Sequence, residues 1–229
     1  VVAVALSPGY GTTDTTIFIA TTQAVCRSIN DGANWAVLYR PGAVPCALAV
    51  SPSYAEDGDL YLATTNGVYF SDNWGVTWEE RSTGLTERSI RVMVISPDYA
   101  NDSTVFVGTS RGIWGTSNKG NIWTRHVDGL VSVDTNALVF SPDFANDHVM
   151  FAGTAEDGVF KSTTFGWSWT DANVGLTGWR VSSVSLAPTF PTSGVIFVGT
   201  DGGGVRKTTD GGATWAPINE GLEAGARNV

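Results

Sequence analysis

The chain has 229 residues, with 27 glycines, 9 tryptophans and 11% aromatic residues, and only 15% of it is charged. That length can bury a substantial core, and this glycine and aromatic content suits short strands joined by tight turns better than helices. The formal net charge of −9 repels nucleic-acid phosphates and anionic membrane surfaces, so neither is an expected partner.

The opening VVAVAL (1–6) lacks the basic region and length of a signal peptide, and it begins in mid-pattern. It reads as the first strand of a repeat cut from a longer precursor, with any export signal outside it, and the expected location is secreted or cell-surface. No apolar run approaches the roughly 18 residues of a membrane span. Ser7-Pro8 ends this first strand, and the pair returns as Ser51-Pro52, Ser96-Pro97, Ser141-Pro142 and, altered, Ala187-Pro188, at spacings of 44, 45, 45 and 46 residues.

A second marker keeps the same period. The octets SINDGANW (28–35), SDNWGVTW (71–78), TSNKGNIW (116–123), STTFGWSW (162–169) and TTDGGATW (208–215) share one outline. Their closing tryptophans, Trp35, Trp78, Trp123, Trp169 and Trp215, are 43, 45, 46 and 46 residues apart. Two independent markers therefore define five units, at about 1–40, 41–84, 85–129, 130–175 and 176–222, with a tail at 223–229.

The third unit shows the strands best. IRVMVIS (90–96) is an apolar run typical of a strand buried on both faces. PDYANDS (97–103) is turn-rich, TVFVGT (104–109) is β-branched and aromatic, SRG (110–112) is a tight turn, and IWGTS (113–117) is a third strand. IWTRHV (122–127) then reads as the outermost strand. Four antiparallel strands per 40–50 residues, repeated, predict an all-β fold of β-propeller blades. Each of the five blades comes whole. Because GLEAGARNV (221–229) looks like the lead-in to another first strand, either five blades close on themselves or the chain continues into more.

Within each octet the short side chains suit turn chemistry. Ser28, Ser71, Thr116, Ser162 and Thr208, with Asn30, Asn73, Asn118, Thr164 and Asp210 two residues on, can accept hydrogen bonds from backbone N–H groups that the turn exposes. Gly32, Gly75, Gly120, Gly166 and Gly212 supply a positive φ. Asn or Thr replaces the acid in four units, which a metal or catalytic site would not survive and a turn cap would. Asp57, Asp102 and Asp147 recur at the end of the SP-x-[YF]-A turns; their spacing does not converge enough oxygens for calcium, so they also read as caps. No metal or cofactor is expected.

These octets resemble Asp-boxes, Ser/Thr-x-Asp-x-Gly-x-Thr-Trp, of BNR-type propellers such as sialidases, sortilin-like receptors, xyloglucan-active hydrolases and photosystem assembly factors. SPDYANDSTVFVGT and SPDFANDHVMFAGT are further similar to repeats of secreted bacterial BNR proteins. The resemblance covers essentially the whole chain. It implies the propeller, and it implies either a non-catalytic binding scaffold, a glycoside hydrolase, or an assembly factor for a membrane complex.

Variable residues gather at the other end of the strands, in the second-to-third turns and the connections between units. Arg88, Arg91, Arg111, Trp179 and Arg180 supply cationic and aromatic groups there, and Asp134, Glu156, Asp157 and Asp201 supply carboxylates. Arginine forks suit carboxylate or sulfate, and an indole face suits a sugar ring; the plainer reading is ordinary solvated loop residues. The expected partner is a protein or a glycan, with self-association or further blades of the full-length chain as other partners. Catalysis finds less support. No Arg-Ile-Pro sequence is present, Tyr54, Tyr61, Tyr69 and Tyr99 fall where packing explains them, and His126 and His148 lie at strand edges in different units. A glycosidase pair would have to come from Asp134 with Glu156 or Asp201. Cys26 and Cys46 are either buried small apolar residues or one disulfide tying the first unit to the second.

Overall fold

The computed structural model describes residues 1–222; the tail at 223–229 lies outside the described residues. Five four-stranded sheets form, each with its strands in chain order. The first is β1 (Ala3–Leu6), β2 (Ile17–Ala20), β3 (Val25–Ser28) and β4 (Ala36–Tyr39); the second is β5 (Pro45–Val50), β6 (Leu60–Thr64), β7 (Gly67–Ser71) and β8 (Glu79–Glu80). The third is β9 (Ile90–Ile95), β10 (Val105–Thr109), β11 (Gly112–Thr116) and β12 (Thr124–Arg125). The fourth is β13 (Thr135–Phe140), β14 (Met150–Thr154), β15 (Val159–Ser162) and β16 (Thr170–Asp171); the fifth is β17 (Val181–Leu186), β18 (Ile196–Thr200), β19 (Gly204–Thr208) and β20 (Ala216–Pro217). Adjacent strands pair antiparallel. These are propeller blades, five in the chain.

The chain packs as two compact units: Val1–Val107 with Trp114–Thr124, and Gly108–Ile113 with the described residues from Arg125 on. Second strands carry the centre of each. β6, β10 and β14 are buried at every position, which is why their sequences lack the polar alternation of a half-exposed strand. In the first unit Tyr61, Phe70, Tyr99, Val105, Trp114 and Trp123 form one apolar cluster, and Phe18, Val25, Tyr54, Leu60 and Leu62 another. In the second unit Phe151, Val159, Val181, Phe190, Ile196 and Trp215 do the same.

The first-to-second connections are more regular than a turn-rich sequence predicts. Four of the five hold one helical turn: α1 (Tyr54–Asp57), α2 (Tyr99–Asp102), α3 (Phe144–Asp147) and α4 (Phe190–Ser193). The Ser-Pro pair and the recurrent aspartate explain them. Ser51 Oγ accepts the Ser53 N–H at 3.0 Å and donates to Asp57 at 2.6 Å, while Asp57 accepts the Asp59 N–H at 2.9 Å. Ser96 with Asp102 and Ser141 with Asp147 repeat this at 2.6 and 2.5 Å. In the altered fifth unit Ser193 Oγ takes the carboxylate's place, accepting the Val195 N–H at 3.3 Å.

The outermost strands are shorter than IWTRHV predicts. Four of the five fourth strands have only two residues. In three of these four the N–H of the closing tryptophan is spent on the preceding repeat. Trp123 N donates to Thr83 O at 2.9 Å, Trp169 N to Asp128 O at 2.8 Å and Trp215 N to Val174 O at 2.9 Å, each reaching the preceding repeat. Their side chains follow: Trp123, Trp169 and Trp215 are 2–5% exposed. The indole N–H of Trp123 bonds Arg81 O at 2.9 Å and that of Trp215 bonds Ala172 O at 2.7 Å. This seam dictates a glycine. Gly84, Gly129 and Gly175 hold φ of 93°, 82° and 82°, and a Cβ on each would run into the carbonyl oxygen of Trp123, Trp169 and Trp215 respectively.

Cys26 on β3 and Cys46 on β5 are both free thiols, so the disulfide alternative is not realised. They occupy different tiers, a third strand and a first strand of the next sheet. Burial pushes the Cys46 thiol up to about 11.

Candidate functional site

The repeated octets are spent on their own turns. In all five, the first hydroxyl accepts the glycine N–H four residues on: Ser28 to Gly32 at 2.9 Å, Ser71 to Gly75 at 2.9 Å, Thr116 to Gly120 at 3.2 Å, Ser162 to Gly166 at 3.0 Å and Thr208 to Gly212 at 3.3 Å. The third residue accepts a second N–H, for example Asn30 from Asn34 at 2.9 Å and Asp210 from Thr214 at 2.9 Å. Thr164 does this with a hydroxyl, at 3.0 Å from Ser168 N, which is why amide, hydroxyl and carboxylate interchange here. The Thr208 and Thr214 hydroxyls hold the Asp210 carboxyl below the ordinary carboxylate range. Two consecutive residues, not the glycine alone, take left-handed φ: Asp31, Trp74, Lys119 and Phe165 stand before the glycine at 55–58°.

At the other end of the strands the second unit builds a continuous ledge from the loops that differ most between repeats. Ala155 N donates to Asp134 O at 2.9 Å, Gly158 N to Trp179 O at 2.8 Å, and Asp201 N to Arg180 O at 2.9 Å. These backbone bonds string Asp134, the 155–158 turn, Trp179, Arg180 and Asp201 together. The segment is held from below as well. Asn173 donates to Asp157 O at 2.9 Å, Thr200 donates to Thr177 O at 3.2 Å, and Arg206 reaches the Thr177 hydroxyl. Gly178, at φ 81°, lies so close to the 201–203 turn that a Cβ would sit 2.6 Å from Asp201 O. The backbone is pinned while the side chains project: Trp179 is 53% exposed, and Glu156, Arg180 and Asp201 are exposed.

Five of the eight expected binding residues, Asp134, Glu156, Trp179, Arg180 and Asp201, thus meet on one ledge. The other three are not among the residues that these backbone bonds connect. Arg88 and Arg91 belong to the first unit, and Arg88 is committed to Glu80 at 2.5 Å. Arg111 has its carbonyl held by the Arg125 guanidinium at 2.7 Å. Asp134, Glu156, Asp157 and Asp201 bring four carboxylates to the ledge, beside Arg180.

The structure also shows a polar cluster that packing alone had been expected to explain. In the first unit, Asp59 is 1% exposed and pairs with the Lys119 ammonium at 2.8 Å. Its Oδ2 accepts the Tyr99 hydroxyl at 2.7 Å, and Tyr99 shares a 2.7 Å hydrogen bond with the Tyr61 hydroxyl. Burial raises both phenols well above their ordinary value, Tyr99 the more, with Tyr61 and Asp59 adding to it. Asp59 Oδ1 is buried with no hydrogen-bond partner among the described residues. The sequence signal was a break in the repeat. Where Asp59 stands, the other four repeats have Thr16, Thr104, Val149 and Val195; where Lys119 stands they have Asp31, Trp74, Phe165 and Gly211; and where Tyr61 stands they have phenylalanine.

Both histidines pack against aromatic rings. His126 is 4% exposed, Nδ1 3.1 Å from Gly166 O, with its ring 4.3 Å from that of Trp167. His148 caps α3 at φ 55° and stacks on Phe165 at 3.7 Å. No group of three or more metal-ligating side chains is found among the described residues, and no helix is long and apolar enough to cross a membrane.

The sheets and their seam define a propeller protein, and solved structures agree. The chain is similar to an ancestral GH74 enzyme, with a TM-score of 0.71 at 22% identity, over 95% of this chain and 32% of that one. It is similar to the GH74 xyloglucanase from Xanthomonas campestris, with a TM-score of 0.71 at 19% identity, over 95% and 37%. YCF48 bound to D1 peptide matches at 0.67 and 11%, over 97% and 68%. The chain thus spans about a third of the length of the two GH74 enzymes. At these identities the likeness is one of fold. No family model and no curated protein matches the sequence.

Proposed function

We propose that this chain is a non-catalytic interaction module of a secreted or cell-surface protein, and that the ledge of the second unit is its recognition surface. The carrying observation is the backbone-bonded string that fixes Asp134, Trp179, Arg180 and Asp201 in place while leaving the Trp179 indole half-exposed. A pinned loop spends little conformational entropy on binding, and an outward indole offers a platform for a sugar ring or an apolar side chain. The acidic surround favours a neutral glycan or a peptide that carries cations over an acidic ligand. Similar propellers include both a xyloglucanase and a protein bound to a peptide, so both ligand classes are within the fold's reach.

The test is equilibrium binding to soluble polysaccharides, neutral xyloglucan beside acidic polygalacturonate, and to an array of basic and acidic peptides. The expected result is binding to a neutral glycan or a basic peptide, lost by about tenfold or more in Trp179→Ala. An alanine-insensitive signal would reject the ledge. Release of reducing sugar that disappears in Asp134→Asn or Glu156→Gln would instead make the chain a glycoside hydrolase, and co-purification with a membrane complex would make it an assembly factor.

A further inference from the structure

The irregular cluster at the opposite ends of the strands borders a cavity of about 280 Å³ in the first unit, lined by Ser53, Glu56, Asp57, Tyr99, Ala100 and Lys119. We infer that this cavity is a second binding site, for a free α-amino acid or a zwitterion of similar size, held between the Lys119 ammonium and the carboxylates of α1.

Four features lead there. The walls carry opposite charges, Lys119 on the third octet and Glu56 with Asp57 on α1. A ligand with a carboxylate at one end and an ammonium at the other is the simplest match to both. The Lys119 side chain is 41% exposed beside the cavity, and its aim is fixed. Asp59 holds the ammonium at 2.8 Å, the Tyr99 ring lies 5.8 Å beneath it, and the chain of hydroxyls from Tyr61 through Tyr99 holds Asp59. The size is that of a metabolite, since drug-sized ligands occupy roughly 300–1,000 Å³. Finally, the cluster is costly as architecture. A carboxylate with one orphan oxygen, buried and ion-paired, stands where sister blades place threonine or valine. The sister contact of Phe151 with Phe190, ring centroids 5.7 Å apart, is built without it. The site is independent of the ledge, and its failure would leave that reading intact.

Titration calorimetry with glycine, L-alanine, L-serine and L-glutamine, beside propionate and propylamine as single-charge controls, tests the assignment. Saturable binding of at least one of the amino acids is expected, with both controls at least tenfold weaker. Glu56→Gln, an exposed change that leaves Asp59 paired, should weaken that binding by fivefold or more, and Lys119→Met should abolish it. Lys119→Arg keeps the charge in case Lys119→Met fails to fold, and should retain binding within about tenfold. No heat up to 50 mM of any of the amino acids, controls that bind equally well, or binding unchanged in Glu56→Gln would each overturn the proposal.

Discussion

Replacing Gly129 by alanine isolates the interaction that joins one blade to the next, because the chain contains its own control. Gly129 and Gly221 occupy the same position two repeats apart, in the same unit, both with φ 82°. Alanine in the left-handed region costs about 1–2 kcal/mol at either site. At Gly221 a Cβ meets nothing within 4 Å among the described residues, whereas at Gly129 it collides with the Trp169 carbonyl, beside the 2.8 Å bond from Trp169 N to Asp128 O. Relieving that collision means lengthening or losing the bond, and a buried N–H left unpaired adds about 1–3 kcal/mol. Gly129→Ala should therefore destabilise by about 2–5 kcal/mol and Gly221→Ala by about 1–3 kcal/mol less than that, the share of the lost bond. Urea unfolding followed by tryptophan fluorescence measures both, provided the slope with denaturant is unchanged. Equal losses would mean that the approach of the two backbones is not what the glycine serves, and the account of the seam would fail.

Two further outcomes follow from buried titratable groups. Burial lowers the His126 pKa below 6.5 in the folded protein, with the Gly166 carbonyl opposing it. The unfolded chain then binds the extra proton first, so the stability that neutral His126 contributes is complete above about pH 6.5 and declines as the pH falls toward the folded pKa. The urea midpoint should drop between pH 7.5 and 5.5 by more in the wild type than in His126→Gln; an equal drop would remove His126 as the cause. With its thiol raised to about 11, Cys46 should resist iodoacetamide at pH 8 in the native protein and react once urea is added. Prompt native labelling, read by mass spectrometry, would contradict that.

Much of the fold was legible because the same physical problem is solved five times. The SP turns, the octets and the closing tryptophans keep one period, and each marks a place where the backbone needs an outside acceptor or a left-handed residue. The length of the fourth strands was not legible. IWTRHV has strand composition, but whether the Trp123 N–H serves its own sheet or Thr83 O depends on the neighbouring blade, a contact far away in sequence. The helical turns α1 to α4 were hidden in the same way: four residues are too few to show a period.

The site was partly legible. Loop variability pointed to Asp134, Glu156, Trp179, Arg180 and Asp201, and backbone bonding brings these to one ledge. It also pointed to Arg88, whose charge goes to Glu80, because composition shows that a charge is present and not which partner it has. Tyr61 and Tyr99 were read as packing for the reason that they sit at repeat-internal positions. Only the coincidence of Asp59 and Lys119, each unlike its repeat counterparts, marks them as more, and that coincidence is visible once 2.8 Å separates the two groups.

The account divides the repeats into architecture at one end of the strands and recognition at the other. The measurement that bears on this most directly is a crossed comparison of Thr208→Val, which removes the hydroxyl accepting the Gly212 N–H, and Trp179→Ala. Thermal midpoint and binding to the neutral polysaccharide and basic peptide panels are read on both. The division predicts that Thr208→Val lowers the midpoint and keeps the binding, and that Trp179→Ala keeps the midpoint and loses the binding. Binding lost with the octet hydroxyl, or untouched without the indole, would contradict it.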